Sequence, residues 1–203
     1  MIDLLLISIF CYFLGSLPFS FLIAKAYGKN LFQVGSGNVG TANVWRATKK
    51  IEAAILALIG DTGKGFFAIF LAEKFFPQKP LFQILASFFV VFGHNWSIFL
   101  KFRGGRGLAT LAGILLYLNW KALLFSLFLL GFCIFLVEIF TKRKFEIKAL
   151  ISQVLGRVIG IFFCAVFLYL FFPKTFKIIF PSAILVGIKH IKRTKTFLEG
   201  KVV

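Results

Sequence analysis

Apolar runs of membrane-spanning length dominate this chain and restrict the folds open to it. A helix needs about 20 mostly apolar residues to cross a bilayer, because the hydrocarbon core is about 30 Å thick and each helical residue rises about 1.5 Å. Hydrophobic residues fill 60% of the 203 positions, which leaves too few polar residues to cover a soluble domain. The sequence therefore predicts an all-α, polytopic membrane helical bundle of about seven transmembrane helices, over residues 2–24, 51–76, 81–100, 108–120, 122–140, 149–172 and 176–188.

Two of these segments, 108–120 and 176–188, are short, so we expect them to be tilted, broken or sunk into the bundle. The first segment has no basic residue before it and no clear small-residue cleavage site, so we interpret it as a retained helix and not as a secretory signal. No long linker or strong internal repeat interrupts the chain. Residues 1–203 are predicted to form a single domain.

The positions of the basic residues predict the orientation, because Lys and Arg beside helix ends are held on the cytoplasmic side of a membrane. With seven spans, 17 of the 24 Lys and Arg residues fall on one side and 5 on the other, while Lys64 and Arg157 lie inside spans. We therefore expect the N-terminus outside and the C-terminus in the cytoplasm.

The formal net charge of +17 comes from cations that lie between apolar runs and not on one soluble face. This pattern favours membrane lipid and phosphorylated substrates as partners over nucleic acid. Cys11, Cys133 and Cys164 lie in apolar spans without paired spacing. We therefore predict no disulfide, no metal site and no cofactor.

A first glycine-rich segment follows the first apolar run and reads Gly35-Ser36-Gly37-Asn38-Val39-Gly40-Thr41-Ala42-Asn43, with Arg46 behind it. Glycines of this kind can present backbone N–H groups to an anion, and an arginine adds a planar fork that suits phosphate. The glycine spacing also matches a dinucleotide fingerprint, but a lipid-spanning helix and not a strand precedes it. The alternative is a polar interfacial turn without a ligand.

A second segment repeats this design at the start of a later apolar run, as Gly104-Gly105-Arg106-Gly107 with Lys101 and Arg103 just before it. Freed amides and a positive dipole at a helix N-terminus favour phosphate binding. The alternative is that these cations only hold the loop on the inner side. Together the two segments predict an anion site at a membrane surface.

Four further ionisable residues have two interpretations each. Asp61 and Lys64 lie in a span, where an unpaired charge costs at least about 2.5 kcal/mol; they can pair with each other or join a network that reaches the phosphate site. His94 can accept a proton or bond a backbone carbonyl. His190 closes the last span and can face the phosphate or the carbonyls of its own helix.

These motifs carry a resemblance to a known family. Three motifs stand in the order and register found in the bacterial acyl-phosphate:glycerol-3-phosphate acyltransferase family. They are Gly35 to Gly40 with Asn43 and Arg46, then Asp61-Thr62-Gly63-Lys64-Gly65, and then Gly93-His94 with Lys101 to Gly107. The similarity covers roughly the first half of the chain. It implies a seven-span bundle with its N-terminus outside, which agrees with the topology that the charges predict.

The resemblance also implies an activity. Members transfer a fatty acyl group from acyl phosphate to the sn-1 hydroxyl of glycerol 3-phosphate and form lysophosphatidic acid, the first step of phospholipid synthesis, in the bacterial inner membrane with the active site on the cytoplasmic face. Acyl phosphate is a mixed anhydride with a good leaving group, so such an enzyme mainly aligns the hydroxyl and neutralises charge. The oligomeric state stays open, and a monomer is compatible with the sequence.

Site residues follow from the same resemblance. It implies catalytic roles for Ser36, Arg46, His94 and Arg106. It implies substrate binding by Gly35, Gly37, Asn38, Gly40, Thr41, Asn43, Lys64, Lys101, Arg103, Gly104, Gly105, Gly107 and His190.

The chain departs from the family pattern in four places. Thr41-Ala42 reverses the family's Ala-Thr, Arg106 stands where the family has a lysine, and Phe145 stands where a serine of the third inner loop helps to bind phosphate. After His190 the family's Asn and Arg are also lost. We expect these changes to alter activity or substrate choice.

Other functional classes compete with this interpretation. Acyltransferases that use a His-x4-Asp pair are excluded, because Phe99 and Lys195 occupy the aspartate positions after His94 and His190. A divergent non-catalytic relative, or a carrier of a phosphorylated lipid, stays possible, although the lack of repeats counts against a carrier. A structural protein that recruits anionic lipid would be little affected by Arg46→Ala.

Overall fold

The structure is a computed structural model that describes the backbone of residues 1–142 and 149–198 and the side chains of residues 1–140 and 155–191. Every regular element in these ranges is helical, which confirms the predicted all-α class. The elements are α1 (Ile2–Ser16), α2 (Phe19–Ala26), α3 (Thr41–Thr48), α4 (Ile51–Phe75), α5 (Pro80–Asn95), a short 3-10 helix (Ile98–Leu100), α6 (Leu108–Leu118), α7 (Trp120–Lys142), α8 (Ala149–Phe171) and α9 (Pro173–Leu198).

The outer surface of the bundle is apolar. Four described stretches are long and apolar enough to cross a membrane, namely Ile2–Ala26, Ile51–Phe75, Pro80–Leu100 and Trp120–Phe140, while Leu108–Leu118 and Leu155–Phe171 are apolar but shorter. Large side chains stand exposed along these helices, among them Phe128 and Phe140. Such a surface is stable in lipid and not in water, so the protein is an integral membrane protein. Seven crossings with the N-terminus outside stay a prediction.

The first predicted span is broken into two helices. α1 ends at Ser16 because Pro18 disfavours a helical conformation at the residue before it. The break leaves two backbone carbonyl oxygens inside the bundle, where each needs a hydrogen-bond donor. Ser97 Oγ donates to the Ser16 oxygen at 2.6 Å, and Lys64 Nζ donates to the Leu17 oxygen at 3.0 Å. The break is therefore capped by side chains from two other parts of the chain.

The two segments predicted to be short differ in outcome. α6 is indeed short, with 11 residues, and ends at Leu118. The Oδ1 of the next residue, Asn119, accepts a hydrogen bond from the Ala122 N–H at 3.0 Å. The predicted segment 176–188 lies inside a longer helix, because α9 has 26 residues and continues to Leu198. Hydropathy falls where the basic residues begin, but helical backbone does not end there.

Glycines bring the helices of the bundle into close contact. A Cβ on Gly93 of α5 would collide with the Tyr12 oxygen of α1, and a Cβ on Gly113 of α6 would collide with the Thr62 oxygen of α4. Small residues at these positions allow the backbones to approach, as is common between membrane helices. The same close packing holds α4 and α6 together beside the two glycine segments.

α3 was not predicted from the sequence. It packs on α4 and on α2, and its Val44 joins a small apolar cluster with Ala24, Leu31, Val39, Ala53 and Ala57. This cluster is separate from the main core around α5. It attaches the first glycine segment to the end of the bundle.

Candidate functional site

Asn43 holds the first glycine segment in a compact loop. Its Oδ1 accepts the Ser36 N–H at 2.9 Å, and its Nδ2 donates to the Leu31, Val34 and Asn38 carbonyl oxygens at 3.2, 3.1 and 3.0 Å. The side chain is only 1% exposed. The amide is therefore engaged within the loop, and the structure places Asn43 behind the loop instead of at its open face.

Left-handed backbone at Gly35 and Gly37, with φ of +59° and +65°, turns the chain sharply ahead of α3. α3 then begins at Thr41, with Gly40 as its N-cap in an extended conformation. The first N–H groups of a helix have no acceptor within that helix. The amides of Thr41 and Ala42 therefore belong to the end of α3 that attracts an anion.

The second glycine segment forms the turn that leads into α6. Lys101 and Phe102 adopt left-handed backbone with φ of 54° and 58°, and Gly107, with φ of +84°, is the N-cap of α6. The Gly105 N–H donates to the His94 carbonyl oxygen at 3.1 Å. The segment is thereby attached to the end of α5.

The second segment contacts the first segment and the residues just before it. A Cβ on Gly105 would collide with the Val39 carbonyl oxygen and with His94 Nε2, so only a residue without a side chain fits there. The Arg103 guanidinium lies over the Phe32 ring, with 4.1 Å between its Cζ and the ring centroid, which is a stabilising cation–π contact. The segments therefore lie at the same end of the bundle.

Between the segments lies a cavity of about 310 Å³. It is lined from seven helices, α3 to α9, and both segments, by Asn38, Val39, Gly40, Thr41, Ala42, Leu58, Asp61, His94, Arg106, Gly107, Leu108, Ala109, Ala112, Leu127, Arg157 and His190. Two guanidinium groups and the N-terminus of α3 face one space, which is an arrangement suited to an anion.

A buried polar cluster lies beneath this cavity. Asp61 accepts a hydrogen bond from Ser20 Oγ at 2.6 Å and pairs with Lys64 Nζ at 3.0 Å. His94 Nδ1 lies 3.6 Å from the same carboxylate. Asp61 and Lys64 thus pair as one interpretation predicted, and the network also extends to His94 at the cavity.

The ring and the backbone of His94 contact two different neighbours. Its ring lies between the Asp61 carboxylate and the Gly105 backbone. Its main-chain oxygen also accepts the Gly105 N–H. The residue therefore connects the buried cluster to the second glycine segment.

His190 bonds its own helix and also faces the cavity. Its Nδ1 lies 2.8 Å from the Val186 carbonyl oxygen, and since a carbonyl only accepts, Nδ1 carries the hydrogen. In the neutral ring, Nε2 is then the acceptor nitrogen. His190 thus bonds a carbonyl within its own helix while it lines the cavity.

Arg157 is a cavity residue to which sequence reasoning assigned no role. It lies on α8 and lines the cavity with Arg106 and His190, and its charge lies within electrostatic range of the Arg46 guanidinium and the His190 ring. The sequence did contain a signal for this residue, namely an arginine inside an apolar span, because intramembrane charges mark functional sites.

Several predicted site residues lie near the cavity without lining it. Ser36, Gly35 and Gly37 shape the first loop, and Arg46 lies on α3 within electrostatic range of Arg157. The second segment is shaped by Lys101, Arg103, Gly104 and Gly105. Lys64 lies in the buried cluster. Phe145, where the family serine is expected, lies outside the described residues.

Apolar space continues from the polar cavity. A cavity of about 100 Å³ between α6, α7, α8 and α9 shares Leu108, Ala112 and Leu127 with it. A groove of about 270 Å³ between α8 and α9 shares His190 with it. A ligand with a charged head and an apolar tail would match a polar cavity that adjoins apolar space.

Comparison with known proteins gives a consistent result. Residues 5–200 match the family model described as glycerol-3-phosphate acyltransferase. Proteins of that name are similar in Wolbachia pipientis subsp. Culex pipiens (strain wPip), at 37% identity over 97% of this chain and 95% of the relative, and in Thermotoga petrophila (strain ATCC BAA-488 / DSM 13995 / JCM 10881 / RKU-1), at 34% over 93% and 90%.

A solved structure has the same fold. The crystal structure of PlsY (YgiH), an integral membrane glycerol 3-phosphate acyltransferase, in its glycerol 3-phosphate form superposes with a TM-score of 0.75 at 27% identity, covering 99% of this chain and 94% of that chain. The lysophosphatidic acid form of PlsY gives a TM-score of 0.73 at 24% identity.

Proposed function

This chain belongs to the glycerol-3-phosphate acyltransferase family and is an acyltransferase, and on that premise we propose that it moves a fatty acyl group from acyl phosphate to the sn-1 hydroxyl of glycerol 3-phosphate. The products are lysophosphatidic acid and phosphate. Glycerol 3-phosphate as acceptor is supported by the names of the relatives and by the glycerol 3-phosphate form of PlsY. Lysophosphatidic acid as product is supported by the second PlsY form.

One observation carries the proposal, namely that two cationic glycine segments contact each other and enclose a cavity of about 310 Å³. Each substrate brings a phosphate group of about −1.5 to −2 charges at neutral pH. Two such groups repel when they share a site of low dielectric. Arg106 and Arg157, which line the cavity, offset that repulsion.

We assign the phosphate of glycerol 3-phosphate to the first segment and Arg106. Asn38 and the first amides of α3 offer neutral donors, and Arg106 faces them across the cavity. Arg46 contributes charge from α3, while Ser36 and Asn43 maintain the shape of the loop. Lys64 and His94 act as positioning residues through the buried cluster.

The chemistry needs one bond made and one broken. The sn-1 hydroxyl oxygen attacks the acyl carbonyl carbon, the carbon–oxygen bond to phosphate breaks, and the departing phosphate takes the hydroxyl proton. Alignment and charge neutralisation provide the acceleration. His94 is held between Asp61 and Gly105, so we assign it to loop positioning and not to proton transfer.

The acyl chain occupies the apolar space between α6, α7, α8 and α9 and enters from the bilayer. The small cavity and the groove there are lined almost entirely by apolar side chains. Both adjoin the polar cavity, so the carbonyl carbon lies where the apolar and polar regions meet.

The test is a donor comparison with purified protein in detergent. Acyl phosphate with glycerol 3-phosphate is expected to yield lysophosphatidic acid, measured by mass spectrometry, and one phosphate per product. Acyl-CoA and acylated acyl carrier protein serve as competing donors. Product from either of those but not from acyl phosphate would refute the proposed donor.

Arg106 variants provide the matched control for this assay. Arg106→Gln is expected to lower kcat/KM by at least about 10-fold, since charge-assisted hydrogen bonds contribute about 1.5–3 kcal/mol. Arg106→Lys retains the charge and is expected to lose less. Equal activity in Arg106→Gln and the parent protein would remove Arg106 from the site.

A further inference from the structure

Arg157 lies in an unusual place for a charged residue. It is the charged residue of α8, whose other residues from Ala149 to Phe171 are apolar or neutral. A guanidinium inside a membrane helix costs at least about 2.5 kcal/mol unless a partner or a ligand compensates it. The position therefore calls for a physical explanation.

No carboxylate among the described side chains compensates this charge. Asp61 lines the same cavity, but it is engaged by Lys64, Ser20 and His94. The groups that do act on Arg157 and its neighbour His190 are cations, namely Arg46 and Arg106. An anion bound in the cavity is the compensation that this arrangement suits.

The position of Arg157 along α8 indicates which anion. Val158 follows it directly and Ile161 lies one turn further, and both line the groove between α8 and α9. His190 lines that groove and the polar cavity alike. Arg157 thus stands where an apolar groove meets the polar cavity, which it lines together with the first glycine segment and Arg106.

We propose that Arg157 binds the phosphate group of a single-chain acyl phosphate whose tail runs along the α8–α9 groove, separately from the phosphate of glycerol 3-phosphate. The assignment rests on the proposed donor. It gives each substrate its own cation, with Arg106 for the acceptor and Arg157 for the donor. The reacting hydroxyl then approaches the acyl carbon from the side of the glycine segments.

The test compares Arg157→Gln and Arg157→Lys in the purified full-length enzyme, with the KM of each substrate measured at saturation of the other. Arg157→Gln is expected to raise the KM for acyl phosphate by about 10-fold or more, as the loss of a charge-assisted hydrogen bond does. The KM for glycerol 3-phosphate should change by less than about 2-fold. Arg157→Lys, which keeps charge but not the two-pronged geometry, should give an intermediate rise. Lys121→Gln, which changes an exposed cation at the start of α7, is the control.

Direct binding separates this inference from the proposed function. Dodecyl phosphate, which carries the head and tail but no reactive carbonyl, is expected to bind the parent protein about 10-fold or more tightly than Arg157→Gln by titration calorimetry. That result would support the subsite even if the parent protein made no lysophosphatidic acid. If Arg157→Gln does not fold, Arg157→Lys provides the same comparison. Unchanged dodecyl phosphate affinity, or a rise confined to the KM for glycerol 3-phosphate, would overturn the inference.

Discussion

Asp61 is the residue on which the buried contacts beneath the site depend. It is 1% exposed, and its carboxylate meets Lys64, Ser20 and His94. Lys64 in turn caps the Leu17 carbonyl at the break between α1 and α2. One carboxylate thus couples the break in the first span to the histidine under the second glycine segment.

Replacing Asp61 by leucine is expected to destabilise the protein by about 3–5 kcal/mol, because it leaves the Lys64 ammonium buried without its counter-charge. The double variant Asp61→Leu/Lys64→Met removes both charges and should recover part of this loss. Recovery should be incomplete, since the Leu17 carbonyl then lacks its donor. Thermal unfolding in one detergent measures both variants. A double variant less stable than Asp61→Leu would show that the pair is not the dominant contact.

Gly105 is a residue whose importance comes from having no side chain. Gly105→Ala is expected to push the two glycine segments apart, because the new methyl group would collide with His94 Nε2 and the Val39 oxygen. A displacement of about 1 Å at a reacting group costs about 100-fold in rate, so we expect a loss of that order in kcat/KM. Gly131→Ala on α7, where a Cβ would meet nothing within 4 Å, is the control. Similar activities for the two variants would contradict the tight fit at Gly105.

Among the elements, α3 and its loop carry a large share of the site. The hydrogen bonds of Asn43 hold the loop in shape. The apolar contacts of Val44 and Val39 then attach it to α2 and α4. Loop geometry and helix packing are therefore two separate requirements for the site.

Asn43→Ala is expected to loosen the loop without unfolding the bundle. Each lost hydrogen bond has a net value of about 0.5–1.5 kcal/mol, and several are lost together. Hydrogen exchange followed by mass spectrometry should show faster exchange at residues 31–40. Thr48→Ala is the matched control, because the Thr48 hydroxyl bonds the Val44 carbonyl of its own helix at 2.8 Å. Equal exchange in the two variants would mean that other contacts hold the loop.

The elements also show where pattern reading succeeds. α4, α5, α7 and α8 were predicted to within a few residues, since long apolar runs without breakers leave few alternatives. The break at Pro18, the helix α3 and the full length of α9 were missed. In each case a polar stretch or a proline interrupts the apolar run. The backbone there either remains helical or has its carbonyl groups capped by side chains from other parts of the chain.

At the scale of the whole molecule, the cavity lies at one end of the bundle and apolar space continues from it between α6 and α9. The loop before α3 lies at the cavity end, and the turn at Gln78 joins the far ends of α4 and α5. Because most of the described Lys and Arg residues lie on the cavity side, we propose that this side faces the cytoplasm of a bacterial inner membrane.

Cysteine labelling tests this orientation. In a background without Cys11, Cys133 and Cys164, Gln78→Cys is expected to react with a membrane-impermeant maleimide in intact cells. Lys29→Cys, in the loop before α3, should react only after lysis. Both parent positions are exposed, so accessibility of the thiol is not the variable. The reverse labelling pattern would place the cavity outside and refute the proposed topology.

Composition and the order of motifs were enough to establish a helical membrane protein and its family, and they predicted the two glycine segments as the place of the site. These properties depend on local features, such as the length of apolar runs and the spacing of glycines, that can be read directly from the sequence. The contact between Gly105 and Val39, the Asp61 network reaching from Ser20 to His94, and the entry of Arg157 into the cavity join residues that are far apart in the chain. Such pairings depend on how the helices rotate and pack against each other, and hydropathy does not encode that rotation.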